Sequence, residues 1–160
     1  MKKTEQFAYI AGIIDGEGCI SIYRNSNNGW TLRVCVDMQS KKVIDQLIGA
    51  FGGHYNAINK PGLKYVIHYW YICGKKAYDM LKKIKPFLSE KKPQASLAME
   101  FYLHQKNYGV RLLTESETMA RERYKERLSS LKTEFLIPCV ALAETKCENA
   151  GNGEAIVHGI

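Results

Sequence analysis

The sequence lacks the patterns that mark secreted, zinc-binding and membrane proteins. Its cysteines are odd in number and form no CxxC pair; they are Cys19, Cys35, Cys73, Cys139 and Cys147. This argues against a disulfide framework and a structural zinc site, so an intracellular, reducing compartment is the simplest interpretation. No hydrophobic run has the length of a membrane span, and the apolar stretch behind Met1 is too short for a signal peptide.

Several common catalytic motifs are also missing. There is no P-loop, no G-x-G-x-x-G and no G-x-S-x-G, and the four histidines have no metal-ligand spacing. Nucleotide binding through these loops and serine hydrolase chemistry are therefore not predicted. The sequence contains no internal repeat and no low-complexity segment.

The bulk composition is that of a globular protein with a basic surface. The chain has 160 residues, of which 46% are hydrophobic and 24% charged, which suits one domain with a real core. The formal charge of +7 suits a polyanionic partner, although basic proteins without one are common. A change of composition predicts one domain over residues 1–132 and a C-terminal extension of unassigned role over 133–160.

Hydrophobic periodicity predicts an α+β fold with the order α-β-β-α-β-β-α-α. Thr4 is the predicted N-cap of the first helix, which Gly16 and Gly18 are expected to end. The predicted strands are 19–24, 30–38, 54–59 and 64–73, and the later helices are 41–51, 75–84, 93–105 and 113–131. We expect one four-stranded antiparallel sheet with its helices on one face.

The segment IAGIIDGEG at residues 10–18 is the most informative. Two acidic residues beside glycines do not stabilise a hydrophobic core. The sequence therefore predicts that a carboxylate at the end of the first helix has a functional role. Glu17 is the predicted metal ligand, because carboxylate oxygens suit Mg²⁺, and the Gly16 carbonyl is a second candidate. Asp15 is expected to bind backbone amides instead. The alternative for Glu17 is a helix-end acid without a ligand.

One carboxylate provides few of the oxygen ligands that a metal ion needs. Ala8, Ala11 and Gly12 form a small-residue face on the same helix, and small residues let two helix backbones approach closely. Because the motif occurs once, the second carboxylate is expected from a second chain. The sequence therefore predicts a homodimer, the commonest symmetric oligomer.

IAGIIDGEG resembles the motif that names the LAGLIDADG homing endonucleases, and the segment around Lys91, PFL..K..QA, resembles the entry to that family's late helix. The resemblance covers roughly residues 5–105, with weaker support to about 132. It implies an α-β-β-α-β-β-α core whose four-stranded antiparallel sheet is saddle-shaped over duplex DNA. It also implies a single-motif homodimer that makes a metal-dependent, staggered double-strand break at a long near-palindromic site, and an intron-encoded origin.

The resemblance assigns catalytic roles to three side chains. Besides Glu17, Lys91 is expected to reach the active site and Gln39 to orient solvent near the metal. The family's further basic residue has two candidates here, Lys41 and Lys42.

The outward face of the sheet is the predicted DNA surface. Strand alternation places Arg33 and Asp37 opposite the core-facing residues of their strand, and an antiparallel ribbon fits the major groove. The predicted DNA-binding residues are Ser21, Tyr23, Asn25, Arg33, Asp37, His54, Asn56, Lys60, Tyr65, Tyr69 and Tyr71.

Two other functions use the same surface. One is an RNA-splicing maturase that binds intron RNA, and the other is a DNA-binding regulator that does not cleave. Glu17 and Lys91 argue against a purely binding role, but a dual function has the same sequence. Phage, bacterial and organellar origins are all compatible with the chain.

Overall fold

The computed structural model describes residues 2–24, 29–59, 62, 64–106 and 113–133. The elements are α1 (Lys3–Glu17), β1 (Gly18–Arg24), β2 (Trp30–Met38), α2 (Lys41–Phe51), β3 (His54–Ile58), β4 (Ile67–Cys73), α3 (Gly74–Ile84), α4 (Lys92–Lys106) and α5 (Glu115–Thr133). A 3₁₀ turn at Lys85–Phe87 links α3 to α4. The predicted element order is confirmed, while residues 134–160 of the proposed extension lie outside the described part.

The four strands form one antiparallel sheet in the order β1-β2-β4-β3. Ile20, Val34 and Ile72 lie opposite one another across three strands, and all three are buried. Trp70 is also fully buried and donates from Nε1 to the Gly52 carbonyl at 2.7 Å. The helices cover this inward face, so the predicted α+β architecture and strand alternation are confirmed.

Helix α1 differs from its prediction at both ends. It begins at Lys3, and the Lys2 backbone N–H donates to the Glu5 carboxylate at 3.0 Å, so Thr4 is not the N-cap. The glutamate at the third helical position accepts from the backbone N–H of the residue before the helix, as in a capping box. Gly16 does not end the helix, which runs to Glu17.

The predicted dimer face of α1 needs one correction. Ala11 is fully buried in the protomer's own core, with Ile10 and Ile14, because it lies on the same helical stripe. It therefore cannot contact a second chain. Ala8 and Gly12 are exposed, and the dimer contact predicted for them stays a prediction.

Helix α5 packs against α4 and along β1. The Tyr124 hydroxyl donates to the Glu100 carboxylate at 2.9 Å, and the Tyr124 ring meets the Phe101 ring edge-on at 5.8 Å. Among the described helices, none is long and apolar enough to cross a membrane.

Candidate functional site

Asp15 and Lys91 join the end of α1 to the loop before α4. The Asp15 carboxylate accepts hydrogen bonds from the backbone N–H groups of Ser89 (2.7 Å) and Lys91 (2.9 Å). In return, the Lys91 ammonium donates to the carbonyls of Ile14 (2.9 Å) and Asp15 (2.7 Å). The prediction that Asp15 binds backbone amides is confirmed, and the same contacts fix Lys91 beside the end of α1.

Glycine at position 18 fixes where Glu17 lies. A Cβ atom on Gly18 would stand 2.7 Å from the Cα and carbonyl oxygen of Ile14, a distance that no side chain tolerates. Strand β1 can therefore start directly under the last turn of α1 only with glycine there. Glu17, between them, is exposed, and no described residue donates a hydrogen bond to its carboxylate.

The Glu17 carboxylate opens into a cavity of about 440 Å³. The cavity is lined by Glu17, Asp37, Met38, Gln39, Ser40, Tyr65 and Ile67. The fold thus brings together Glu17 and Gln39, which were predicted to act in catalysis, and adds Asp37, which was predicted only for DNA binding. Gly16 is exposed one residue before Glu17.

The chemistry of these donors fits a hard cation. Glu17 and Asp37 offer carboxylate oxygens and Gln39 an amide oxygen, the ligand types that Mg²⁺ takes. No group of three or more His, Cys, Asp or Glu side chains within the described ranges is placed to hold a metal. These residues of one protomer therefore offer fewer oxygen donors than the octahedral shell of Mg²⁺ takes.

A second cavity has Gly18 in its lining. Its volume is about 370 Å³, and its lining is Asp15, Gly18, Cys19, Glu90, Lys91, Gln94 and Lys132. Burial is the largest cause that lowers the pKa of Lys91, and the negative charges of Asp15, Cys19 and Glu17 oppose it. Lys91 is therefore close enough to Glu17 to feel its charge while lying in a different cavity.

Lys132 is a site residue that the sequence did not predict. It comes from the last turn of α5, and its Nζ lies 3.3 Å from Cys19 Sγ. The polar helix of residues 113–131 was expected to be a solvated surface helix. No local pattern indicates that its end returns to a residue 113 positions earlier in the chain.

Cys19 and Cys35 are neighbours across β1 and β2. The Cys35 thiol hydrogen-bonds to Cys19, which, with the nearby charges of Lys132 and Lys91, lowers the pKa of Cys19 to about 5. The same hydrogen bond, together with burial, raises the pKa of Cys35.

The outward sheet face carries most of the predicted DNA-binding residues. The strand register puts eight of them on this face: Ser21, Tyr23, Arg33, Asp37, His54, Asn56, Tyr69 and Tyr71. Tyr65 is exposed just before β4. Asn25 and Lys60 lie outside the described residues.

Arg33 is the centre of an aromatic cluster on this face. Its guanidinium carbon lies 4.2 Å from the ring centroid of Tyr71, 5.1 Å from that of Tyr23 and 5.6 Å from that of Tyr69. The guanidinium also donates to the Tyr69 hydroxyl. Contacts on three sides restrict the guanidinium to a small region above the sheet.

The two candidates for a further basic residue differ in their contacts. The Lys41 ammonium binds both carboxylate oxygens of Asp45 at 2.8 Å. Lys42 is exposed. Neither lines either of the two cavities beside Glu17.

Comparisons with known proteins identify the fold through structure alone. No protein-family model and no curated protein matches the sequence. The homing endonuclease I-CvuI, solved with a DNA target, is similar over 79% of this chain and 82% of its own, with 18% identity and a TM-score of 0.64. The archaeal intron-encoded homing endonuclease I-Vdi141I, complexed with DNA, is similar over 81% and 86%, with 16% identity and a TM-score of 0.64.

A third similar structure carries the motif's name. The LAGLIDADG homing endonuclease I-GzeII, in complex with a DNA target, is similar over 74% of this chain but only 42% of its own, with 18% identity and a TM-score of 0.55. The element order, the antiparallel sheet and the position of IAGIIDGEG at the end of α1 agree with these likenesses. The chain therefore has the fold of the LAGLIDADG homing endonucleases.

Proposed function

We propose that the chain is a homodimeric, site-specific DNA endonuclease. It hydrolyses one phosphodiester in each strand of a long near-palindromic site and leaves a staggered double-strand break. The observation that carries this proposal is the Glu17 carboxylate, which accepts no hydrogen bond from a described residue. It is fixed at the end of α1 by Gly18 and lines one cavity with Gln39 and Asp37. An intron-encoded origin and an intracellular, reducing location are further parts of the proposal.

Glu17 and the Gly16 carbonyl are the proposed ligands of Mg²⁺. When bound, such a cation polarises a phosphoryl oxygen and favours ionisation of a bound water. I-CvuI was solved with DNA in the presence of 2 mM Mg, where the DNA was not cleaved, and also in the presence of 2 mM Ca, which supports a divalent cation. Glutamate in place of the motif's aspartate adds one methylene of reach and keeps the oxygen ligand.

Gln39 and Lys91 have complementary roles in this proposal. The Gln39 amide orients the attacking water within the cavity that it shares with Glu17. Two of the three ammonium donors of Lys91 bind the carbonyls of Ile14 and Asp15. The third donor is available to the phosphate, whose developing negative charge it stabilises. Because its position is fixed beforehand, this lysine needs little reorganisation when DNA binds.

The proposed dimer forms through the exposed face of α1. Gly12 and Gly16 lie one helical turn apart on one stripe with Ala8, and a Cβ atom on either glycine would meet nothing within 4 Å. No residue in the described part of the protomer therefore requires these two positions to be small. A second α1 packed against this stripe would require it, and would bring the two Glu17 carboxylates to one DNA duplex.

The outward sheet face is the proposed DNA surface. The formal charge of the whole chain, +7, doubles in a homodimer, which favours a polyanion and makes binding sensitive to salt. Arg33, Asn56 and the other polar side chains on this face suit contacts to base edges in the major groove.

Intron RNA is a second candidate partner, and the aromatic side chains on the same face favour it. The His54 and Tyr71 rings stack at 4.9 Å, and the Tyr69 and Tyr71 rings lie 5.6 Å apart. Aromatic rings at a protein surface stack on unpaired bases; of these three residues, His54 is exposed and Tyr69 and Tyr71 are half-buried. A maturase that binds RNA, or a regulator that binds DNA without cutting, would use these rings and would not require the Glu17 carboxylate for catalysis.

A duplex library test separates these functions. Purified protein is incubated with partially palindromic random duplexes in Mg²⁺ or in EDTA, and the broken ends are sequenced. Metal-dependent staggered breaks at one class of sequence support the endonuclease and reveal its site. Selective binding without breaks in several divalent metals contradicts it and favours the regulator, or the maturase if structured intron RNA competes.

A further inference from the structure

Helix α5 lies along the free edge of the sheet. Strand β1 is an edge strand, and α5 is attached to both of its ends: Glu122 lies 3.8 Å from Arg24, and Lys132 lies 3.3 Å from Cys19. Ten helical residues rise about 15 Å, and five strand residues span about 17 Å. The helix therefore runs antiparallel to β1, and its last turn lies beside Cys19, two residues after Glu17.

The amine of Lys132 reaches the outward face of the sheet. Gly18 and Ile20 point inward and are buried, so Cys19 between them points outward, opposite Cys35. Lys132 Nζ contacts Cys19 Sγ on that side. The end of α5 thus places the positive charge of Lys132 on the proposed DNA surface. It lies beside Cys19, which follows Glu17 by two residues in the chain.

Lys132 and Lys91 have no carboxylate partner within the part of the chain that the structure describes. Lys41 and Lys75, by contrast, each bind an aspartate one turn later in their helix, at 2.8 Å and 2.6 Å. Lys132 and Lys91 line the same cavity, which Asp15 and Glu90 also line. The Asp15 carboxylate is already bound by the backbone N–H groups of Ser89 and Lys91. Besides burial, the charge of Lys132, which repels that of Lys91, lowers the pKa of Lys91. An anion placed between two such ammonium groups relieves that repulsion.

Gln94 adds a buried polar group to this cavity. It is 4% exposed, and its Oε1 has no hydrogen-bond partner among the described residues. A carboxamide can turn so that its NH₂ group donates to an anion instead. The cavity therefore combines two ammonium groups and an amide oxygen that lacks a partner among the described residues with the carboxylates of Asp15 and Glu90.

We propose that Lys132 binds a backbone phosphate of the DNA next to the phosphate that Lys91 contacts, which makes α5 part of the DNA-binding surface. This inference rests on the proposed function. The Cys19 sulfur is the nearest acceptor in the free protein, and a phosphate, with a full negative charge, replaces it when DNA docks. A lysine acts here as a point charge on a flexible stem, so it contributes affinity and position without reading sequence.

The test is the salt dependence of binding to the cognate duplex, with Ca²⁺ in place of Mg²⁺. The slope of log K against log salt is negative, and each lost phosphate contact reduces its magnitude by about 0.9. Lys132→Gln in both protomers is therefore expected to reduce the magnitude of the slope by about 2. Lys132→Arg is expected to restore the slope. Lys125→Gln is the matched control, since Lys125 lies two turns earlier on α5, with its Nζ 5.8 Å from the Trp30 ring centroid.

The outcomes separate this inference from the function on which it rests. A wild-type slope for Lys132→Gln, in a variant that melts at the wild-type temperature, overturns the phosphate contact while wild-type cleavage preserves the endonuclease. If Lys125→Gln reduces the magnitude of the slope as much as Lys132→Gln does, the phosphate contact of Lys132 is also overturned. The effect then comes from the loss of any positive charge on α5. If the wild-type protein binds no duplex at all, the proposed function fails and this contact fails with it.

Discussion

Asp15 and Lys91 hold each other's backbone: the Asp15 carboxylate accepts from the Lys91 amide N–H at 2.9 Å, and the Lys91 ammonium donates to the Asp15 carbonyl at 2.7 Å. The two residues are 76 positions apart. This reciprocal pair fastens the loop before α4 to the end of α1. It therefore sets the distance between Lys91, the proposed catalytic lysine, and the helix that presents Glu17.

Asp15→Asn is expected to weaken both the fold and the proposed activity. An asparagine keeps one acceptor, but its NH₂ group faces the other backbone N–H, so one charge-assisted hydrogen bond is lost and one donor is left unpaired. We expect a loss of about 1–3 kcal/mol in the free energy of unfolding, measured by urea denaturation.

Asp45→Asn is the control for this variant, because Asp45 binds Lys41 only on the exposed surface of α2. It is expected to leave the urea midpoint unchanged, as surface pairs contribute little. Equal urea midpoints for wild type and Asp15→Asn would show that the hydrogen bonds of the Asp15 carboxylate to the loop before α4 do not stabilise the protein.

Gly12→Leu is expected to separate the proposed dimer without unfolding the protomer. A leucine side chain at position 12 would point into open space in a single chain but into the partner helix in a dimer. The protomer is expected to gain about 0.5–1 kcal/mol, because glycine is a poor helix former. The measurement is the solution mass from sedimentation, alongside thermal melting.

Gly49→Leu provides the matched comparison, since Gly49 is also an exposed helical glycine with open space at its Cβ position. It is expected to retain the dimer mass. A Gly12→Leu protein that remains dimeric would exclude α1 as the seam.

Arg33→Lys is expected to reduce sequence discrimination more than overall DNA affinity. The aromatic cluster holds a planar guanidinium, which can bind a guanine through two parallel hydrogen bonds, whereas lysine cannot. Discrimination at the contacted base pair is expected to fall by about 1–3 kcal/mol, measured as the ratio of Kd values for cognate and singly substituted duplexes.

Arg24→Lys serves as the control for Arg33, since Arg24 follows the inward-facing alternation of β1 and lies 3.8 Å from Glu122. It is expected to leave the Kd ratio unchanged. If the two variants alter discrimination equally, Arg33 has no specific reading role.

Cys19 is expected to react with iodoacetamide faster than Cys73 at neutral pH. Its pKa of about 5 is set first by the Cys35 hydrogen bond and then by Lys132 and Lys91. Because the folded pKa is lowered, the thiolate persists at neutral pH and is lost only as the pH falls through about 5. Burial raises the pKa of Cys73, so that thiol stays protonated.

The measurement is peptide mapping after brief alkylation in EDTA, from acidic to mildly alkaline pH. The Cys19 rate is expected to level off above its pKa, and Lys132→Gln is expected to move its midpoint to higher pH. A Cys19 rate that keeps rising into the alkaline range, as an ordinary thiol does, would contradict the thiolate.

The sequence predicted the fold because local patterns determine it. The alternation of Leu32, Val34 and Val36 and the glycines after Phe51 mark β2 and the end of α2 without reference to distant residues. The site was predicted where one segment carries it, as with Glu17, whose setting depends on Ile14 and Gly18 nearby.

The remaining site features depend on contacts between distant segments. Lys132 reaches Cys19 across 113 positions, and the proximity of Cys19 and Cys35 depends on strand register. Ala11 was assigned to the dimer face because its side chain is small, but small residues also fill tight places in a core, as this one does. Composition alone does not separate these two uses.

Glu17→Gln tests the central claim most directly. Gln and Glu have nearly the same shape, and the Glu17 carboxylate has no hydrogen-bonded partner within the described residues, so the fold and DNA affinity should be retained. The measurement is single-turnover cleavage of the selected duplex in Mg²⁺, with Kd determined in Ca²⁺ on the same preparations. The account predicts no detectable cleavage by Glu17→Gln at a near wild-type Kd; cleavage at the wild-type rate, or equal loss of binding and cleavage, would contradict it.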